Sequence, residues 1–244
     1  VTFLGHVVNT HGIKPPSDRV EAIVSFPKPE TVKQLRGFIG TINFYRKFIK
    51  HAAVLLTPLN DLLAWPEVKG SHPVTWTPQL EGAFENCKKA LAEVTLLAHP
   101  NSEAEWAIFT DASDHAVGAV LQQRAGNHWQ PLAFFSRKLT PNNTKYSAYD
   151  RELHAIFSAV EHFRRIFEGP HVTVYTDHKP LVQPFRQSSE RTSPWQFRRL
   201  DFIAQFTTDM RHIEGTHNVV ADTLSRIEAH SPAVPTRRYR TSAS

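Results

Sequence analysis

A chain of 244 residues that is 41% hydrophobic and 21% charged can bury a core of its own, as two modest domains or one large one, and does not have a disordered composition. Its one cysteine, Cys87, excludes an internal disulfide framework and a multi-cysteine zinc ribbon and fits a reducing compartment, and no run nears the roughly eighteen apolar residues of a membrane-spanning helix. The net charge of +5 is concentrated: residues 12–50 hold eight Lys/Arg against three acids, and the rest of the chain balances at twenty of each, which points to one polyanion-binding face.

Val1-Thr-Phe-Leu-Gly reads as a strand internal to a longer chain. Pro15-Pro16 interrupts it, and Ser17 can cap a short helix through Ser25. Thr31-Val-Lys-Gln34 has the spacing of a capping box. The helix it opens carries Leu35, Phe38, Ile39, Ile42, Tyr45 and Ile49 on one stripe, with Lys33, Arg36, Arg46, Lys47 and Lys50 around the rest; these five are the candidate nucleic-acid contacts. Gly37 and Gly40 each weaken that helix by about 1 kcal/mol. Their presence implies close approach by either a neighbouring helix or a nucleic-acid backbone. After a Pro- and Trp-containing connector, Thr77-Pro78 starts a further helix with Leu80, Phe84, Cys87, Leu91 and Val94 facing a core, which makes Cys87 a packed thiol.

From about residue 100 the pattern becomes strand-like. Glu105–Asp111, Val117–Gln123 and Pro131–Arg137 read as an antiparallel meander. Tyr149, Leu153, Ile156, Val160, Phe163 and Phe167 stripe a long helix ending at Gly169-Pro170. Val172–Asp177 is a short strand, Pro194 starts a helix, Phe202–His212 contains a strand, and Asn218 can cap a last helix through Arg226. Residues 228–244, rich in Ser, Pro, Thr and Arg, read as a disordered tail. The succession specifies an α/β domain with a mixed sheet.

Four acids stand in informative places. Asp111 and Asp177 each end a strand, where α/β sheets bind ligands. Glu152 lies at the edge of the long helix's buried stripe, and Asp222 falls in the first turns of the last helix. Phosphodiester cleavage needs an activated water and a stabilised leaving oxygen, which two Mg²⁺ ions about 4 Å apart provide, and Mg²⁺ takes hard carboxylate oxygens. Without cations such a cluster repels itself. On spacing alone, each acid is as well explained as a cap, turn or surface residue.

Phe-Thr-Asp111-Ala-Ser, Asp150-Arg-Glu152-Leu, Tyr-Thr-Asp177-His-Lys-Pro-Leu and Asn218-Val-Val-Ala-Asp222-Thr-Leu-Ser-Arg226 resemble, in order and spacing, the ribonuclease H domain of gypsy-class LTR retrotransposon reverse transcriptases. Phe3-Leu4-Gly5-His6 with Gly12-Ile13 resembles the end of that family's polymerase palm, and Pro27–Lys50 resembles its thumb. The resemblance implies three segments: residues 1–98 as the end of the palm and a small, mainly helical thumb-like region; 99–227 as a ribonuclease H-like domain with a mixed five-stranded sheet and flanking helices; and 228–244 as a tail. It implies two Mg²⁺ ions, with Mn²⁺ as substitute. Asp111 would bridge them, Glu152 and Asp177 would hold one, and Asp222 would complete the other.

The implied partner is an RNA–DNA hybrid, whose RNA strand is cut. The implied location is intracellular and cytoplasmic, including virus-like particles. The palm's Tyr-x-Asp-Asp motif occurs nowhere in the sequence, so polymerisation would need the palm and fingers of the parent polyprotein. A nucleic-acid-binding remnant without catalysis is the alternative. His178 is expected to pack beside the site and His212 to be structural, with His217 left open.

Overall fold

The computed structural model describes residues 1–64, 69–94, 96–167, 171–182 and 192–214. Three short strands, β1 (Thr2–Phe3), β2 (His6–Asn9) and β3 (Gly12–Lys14), form a small antiparallel sheet. Its last turn needs glycine. Gly12 has φ +149°, and a Cβ there would lie 2.1 Å from the Leu97 carbonyl oxygen. Ile13 and Leu97 exchange backbone hydrogen bonds of 2.8 and 3.0 Å, tying this sheet to the segment just before the larger one.

Helix α1 (Ser17–Val24) follows. Pro16 occupies its cap position and makes no side-chain cap bond; Ser17 is the first helical residue and not the cap expected of it. Helix α2 (Val32–Phe44) begins with the capping box read from the sequence, both bonds present. It stops at Phe44, with a 3₁₀ turn at Arg46–Phe48, so Ile49 lies outside the helix although it is buried. Helix α3 (Ala52–Leu63) is an element the sequence reading lacks; Pro58 in its middle disguises it, because proline there removes a backbone donor. Helix α4 (Pro78–Ala92) starts on Thr77, whose hydroxyl accepts from Leu80 N–H. Leu80, Phe84, Cys87 and Leu91 of the expected stripe are buried, while Val94 lies past the helix end and is half-buried; burial pushes the Cys87 thiol up to about 12.

The larger sheet has five strands: β4 (Trp106–Ala112), β5 (Ala116–Ala125), β6 (His128–Lys138), β7 (Val172–Thr176) and β8 (Met210–His212), in spatial order β6-β5-β4-β7-β8. The first three form an antiparallel meander, while β4–β7 and β7–β8 are parallel. This is the mixed five-stranded sheet expected. Helix α5 (Ala148–Phe163) leaves the meander, capped by Ser147, and ends at Phe163, short of the expected Gly169-Pro170; residues 169 and 170 lie outside the described residues. Helix α6 (Pro194–Ala204) opens on a second capping box, Ser193 with Gln196. The expected last helix after Asn218 and the tail also lie outside the described residues.

Residues 106–111 of β4 are all buried. The reason is cover on both faces. Ile108, Val117, Ala119 and Leu121 pack with Leu153, Ile156, Val160 and Phe163 of α5. Ala107, Phe109, Val120 and Phe134 share a second core with Leu35, Phe38 and Ile42 of α2, Leu56 and Leu59 of α3, and Phe84 of α4. The N-terminal helices thus roof one side of the sheet.

Phe38 is fully buried, with ring centroids 5.6 and 4.6 Å from Phe26 and Phe84. Phe38→Ala should lower unfolding free energy by about 3–5 kcal/mol. Thr31→Ala, which removes only a cap, should cost about 1 kcal/mol. Urea midpoints measured on both variants check the ranking; equal losses would contradict it.

Candidate metal centre

Chain direction explains why three distant acids meet. β4 and β6 run the same way with β5 between them, so the chain leaves β6 at the end of the sheet where β4 finishes. Helix α5 starts there, runs back, and β7 returns parallel to β4. The first turns of α5 and the C-terminal ends of β4 and β7 therefore share one end of the sheet. Phe109 pairs with Tyr175, and continuing that register by two residues sets 111 opposite 177.

Asp111, Glu152 and Asp177 each present a carboxylate oxygen, and all three oxygens lie within 4.8 Å of one another. Asp111 and Glu152 are buried and Asp177 half-buried. Burial first, then the charges of Asp111 and Asp177, push the Glu152 carboxyl up to about 9 against an ordinary 4.5, although the Ala112 backbone N–H donates to it. Its Oε2 is buried without a hydrogen-bond partner. An all-oxygen donor set, crowded negative charge and an unsatisfied buried oxygen together fit a hard divalent cation. Asp222, the fourth expected acid, lies outside the described residues.

Neighbouring groups brace the cluster. Arg151 pairs with Asp114 at 2.6 Å, joining α5 to the β4–β5 turn. His212 Nε2 lies 3.1 Å from the Asp177 backbone oxygen, and the ring of His178 packs edge-on against Tyr149, 6.0 Å between centroids. Neither histidine joins the three-oxygen cluster. His217 lies outside the described residues. One buried group has no signal in the sequence. His154, two residues after Glu152, accepts from Arg199 Nη1 at 2.8 Å through Nδ1, with Asn143 Nδ2 at 3.0 Å from Nε2. The Arg199 guanidinium lies between Phe157 and Trp195, 4.4 and 4.2 Å from their centroids. Burial, then Arg199 and Arg137, lower His154 to about 4, so it is neutral there. Hydropathy patterns cannot reveal such a network, because its partners come from α6 and the loop before α5.

The expected basic contacts separate. Lys33 and Arg36 are exposed on α2, Lys50 is exposed with its ammonium 5.8 Å from the Phe134 centroid, and Lys47 is half-buried, its ammonium 5.0 Å from the Phe48 centroid. Arg46 instead donates from Nη2 to the Ser136 carbonyl at 2.7 Å. A Cβ on Gly37 or Gly40 would meet nothing within 4 Å, which removes the neighbouring helix as the reason for those glycines. They line an open groove of about 580 Å³ with Gly5, Arg19 and Phe44.

Among the described residues no helix is long and apolar enough to cross a membrane. Residues 76–174 match the model of the RNase H-like domain found in reverse transcriptase. The chain is 36% identical over 227 residues to the retrovirus-related Pol polyprotein from transposon 412 of Drosophila melanogaster, covering 93% of this chain and 18% of that protein. It is 32% identical over 242 residues to the transposon Tf2-3 polyprotein of Schizosaccharomyces pombe, covering 96% and 18%. It thus spans under a fifth of these relatives. Two solved structures share the fold: the foamy viral protease-reverse transcriptase with double-stranded DNA (TM-score 0.72, 20% identity, 88% of this chain and 44% of that one), and the same enzyme with an RNA/DNA hybrid (TM-score 0.72, 19% identity, 100% and 32%). The resemblance carried by the acidic motifs is borne out.

The raised Glu152 pKa has a stability consequence in metal-free protein. Folding favours its protonated form, so its contribution is fully present below pH 4.5 and is lost as pH rises towards 9, amounting to about 3 kcal/mol by pH 7. The melting temperature of the metal-free chain should therefore fall across this window, Glu152→Gln should flatten the fall, and added Mg²⁺ should offset it. Parallel pH curves for the two proteins would rule this out.

Proposed function

We propose that this chain, which carries the RNase H-like domain of a retrotransposon reverse transcriptase, hydrolyses the RNA strand of RNA–DNA hybrids using divalent ions held by Asp111, Glu152 and Asp177, with Asp222 as the fourth ligand. The convergence of three carboxylate oxygens within 4.8 Å carries the reading. The solved relative bound to an RNA/DNA hybrid supports the substrate class.

Mg²⁺ suits the all-oxygen set, and Mn²⁺ can substitute. When bound, the ions neutralise charge on the scissile phosphate and acidify the attacking water. The protein's part is to hold ligands in place. Asp111 and Asp177 are anchored by adjacent parallel strands, and Glu152 gives up its proton when a cation relieves the crowding. Hydrolysis breaks the bond from phosphorus to the 3′-oxygen. Water's hydroxyl goes to phosphorus and its proton to the leaving oxygen, leaving a 5′-phosphate and a 3′-hydroxyl. Lys33, Arg36, Lys47 and Lys50 neutralise backbone phosphates, so recognition rests on hybrid shape and 2′-hydroxyls, not on base sequence. Polymerisation requires the palm and fingers of the parent polyprotein.

Asp111→Asn should lower Mg²⁺-dependent cleavage of an end-labelled hybrid by at least about a thousandfold, with melting temperature unchanged or slightly raised. Asp177→Asn and Asp222→Asn should do likewise. Wild-type cleavage by Asp111→Asn would exclude the scheme, and salt-sensitive binding without Mg²⁺-dependent turnover by the unmutated chain would establish a non-catalytic remnant instead. Lys33→Ala and Lys50→Ala should each weaken hybrid binding and reduce the slope of log affinity against log salt by about 1; an unchanged slope in titrations at several salt concentrations would remove them from the interface.

A further inference from the structure

Besides the shared core, hydrogen bonds tie the basic segment to one edge of the five-stranded sheet. β6 is an edge strand of the five-stranded sheet, and an edge leaves backbone groups without strand partners. The 3₁₀ turn after α2 and the start of α3 cover it. Arg46 Nη2 donates to the Ser136 carbonyl at 2.7 Å, and Ser136 Oγ accepts from the Ala53 backbone N–H at 2.9 Å. One residue of β6 thus holds both the end of the basic helical segment and the first turn of α3. Two positions on, Lys138 Nζ meets both carboxylate oxygens of Asp61 at 2.8 and 2.9 Å. Ser136 is 3% exposed, so its two bonds are partly shielded from water and stiffer than surface contacts.

Ser136 also stands in a telling register. It pairs with Gly118 across β5–β6, and Gly118 pairs with Asp111 across β4–β5. The anchor of the helical segment and the metal-ligating carboxylate lie in one row of the sheet, two strand spacings or about 10 Å apart. Strand-to-strand hydrogen bonds make that row the least deformable path between them.

We propose that Arg46 is a positioning residue: by holding Ser136 it fixes the separation between the basic face of α2 and the carboxylate cluster, and so sets where along a bound hybrid the cut falls. The proposal rests on the hybrid-cleaving reading above and takes Arg46 out of the set of phosphate contacts. Arg137 is the nearest competing explanation, since it lies close enough to Arg46 to help lower its pKa after burial, and two arginines together could hold a phosphate.

The test uses the whole chain and a hybrid with one recessed DNA 3′ end, its RNA end-labelled. The unmutated chain should cut at a narrow set of positions measured from that end. Arg46→Ala should broaden or displace the set by one or more nucleotides, with hybrid affinity changed by less than about twofold; Arg46→Lys should recover part of the pattern; Asp61→Asn, which removes only the neighbouring tie, should broaden it less. A readout independent of activity is the distance distribution between spin labels on Lys33→Cys and Asn142→Cys, which should widen in the Arg46→Ala background; buried Cys87 stays unlabelled. An unchanged cutting pattern with weakened binding would make Arg46 a phosphate contact and overturn the proposal, as would unchanged pattern and unchanged distances. Absence of cutting by the unmutated chain would instead count against the cleavage reading, with the spin-label distances still deciding whether Arg46 fixes the geometry.

Discussion

Like charges forced together set the terms for the rest of this molecule. Asp111, Glu152 and Asp177 place their oxygens within 4.8 Å of one another, two of the three buried, and the charges of Asp111 and Asp177 add to burial in raising the Glu152 carboxyl. Such an arrangement is unfavourable for the isolated chain. It persists because the elements carrying it are fixed by burial elsewhere. The hydrophobic strands β4 and β7 pair in parallel and are covered on both faces, and α5 is bound to the sheet along its apolar side. Stability is spent at the end of the sheet to hold a site ready for cations, the usual relation between a strained functional site and a well-packed scaffold.

Covering both faces of the sheet has a second consequence. One roof, α5 with α6, contributes Glu152 and the neutral His154–Arg199 network behind it. The other roof consists of the N-terminal helices, and residues 12–50, which include α1 and α2, hold the excess positive charge. The basic segment and Glu152 therefore belong to opposite layers, with the sheet that positions Asp111 and Asp177 between them. The bonds from Arg46 and Ala53 to Ser136 tie the basic layer to the sheet, which makes their relative placement a property of the fold.

Local signals in the sequence suffice where a single stretch of chain determines the outcome. Thr31 with Gln34, Thr77 with Pro78, and the stripe through Phe84 and Cys87 all act within a few residues. They do not suffice where a distant contact decides. Pro58 suggests no helix, yet α3 forms because Leu56 and Leu59 are buried by other elements. Gly37 and Gly40 suggest close approach by a helix or a nucleic-acid backbone, and the structure sets no helix against them.

What the sequence by itself determined is the order of the capped and patterned elements other than α3, the concentration of positive charge in residues 12–50, and the acids near the ends of two strands and on one helix, because caps, periodicity and composition are local properties. Only the tertiary structure decided that three of those acids bring oxygens within 4.8 Å of one another, that Arg46 bonds to Ser136 of the sheet, and that His154 is neutral beside Arg199. Those outcomes depend on which segments are neighbours in space, and neighbourhood is set by the burial of apolar surface across the whole chain.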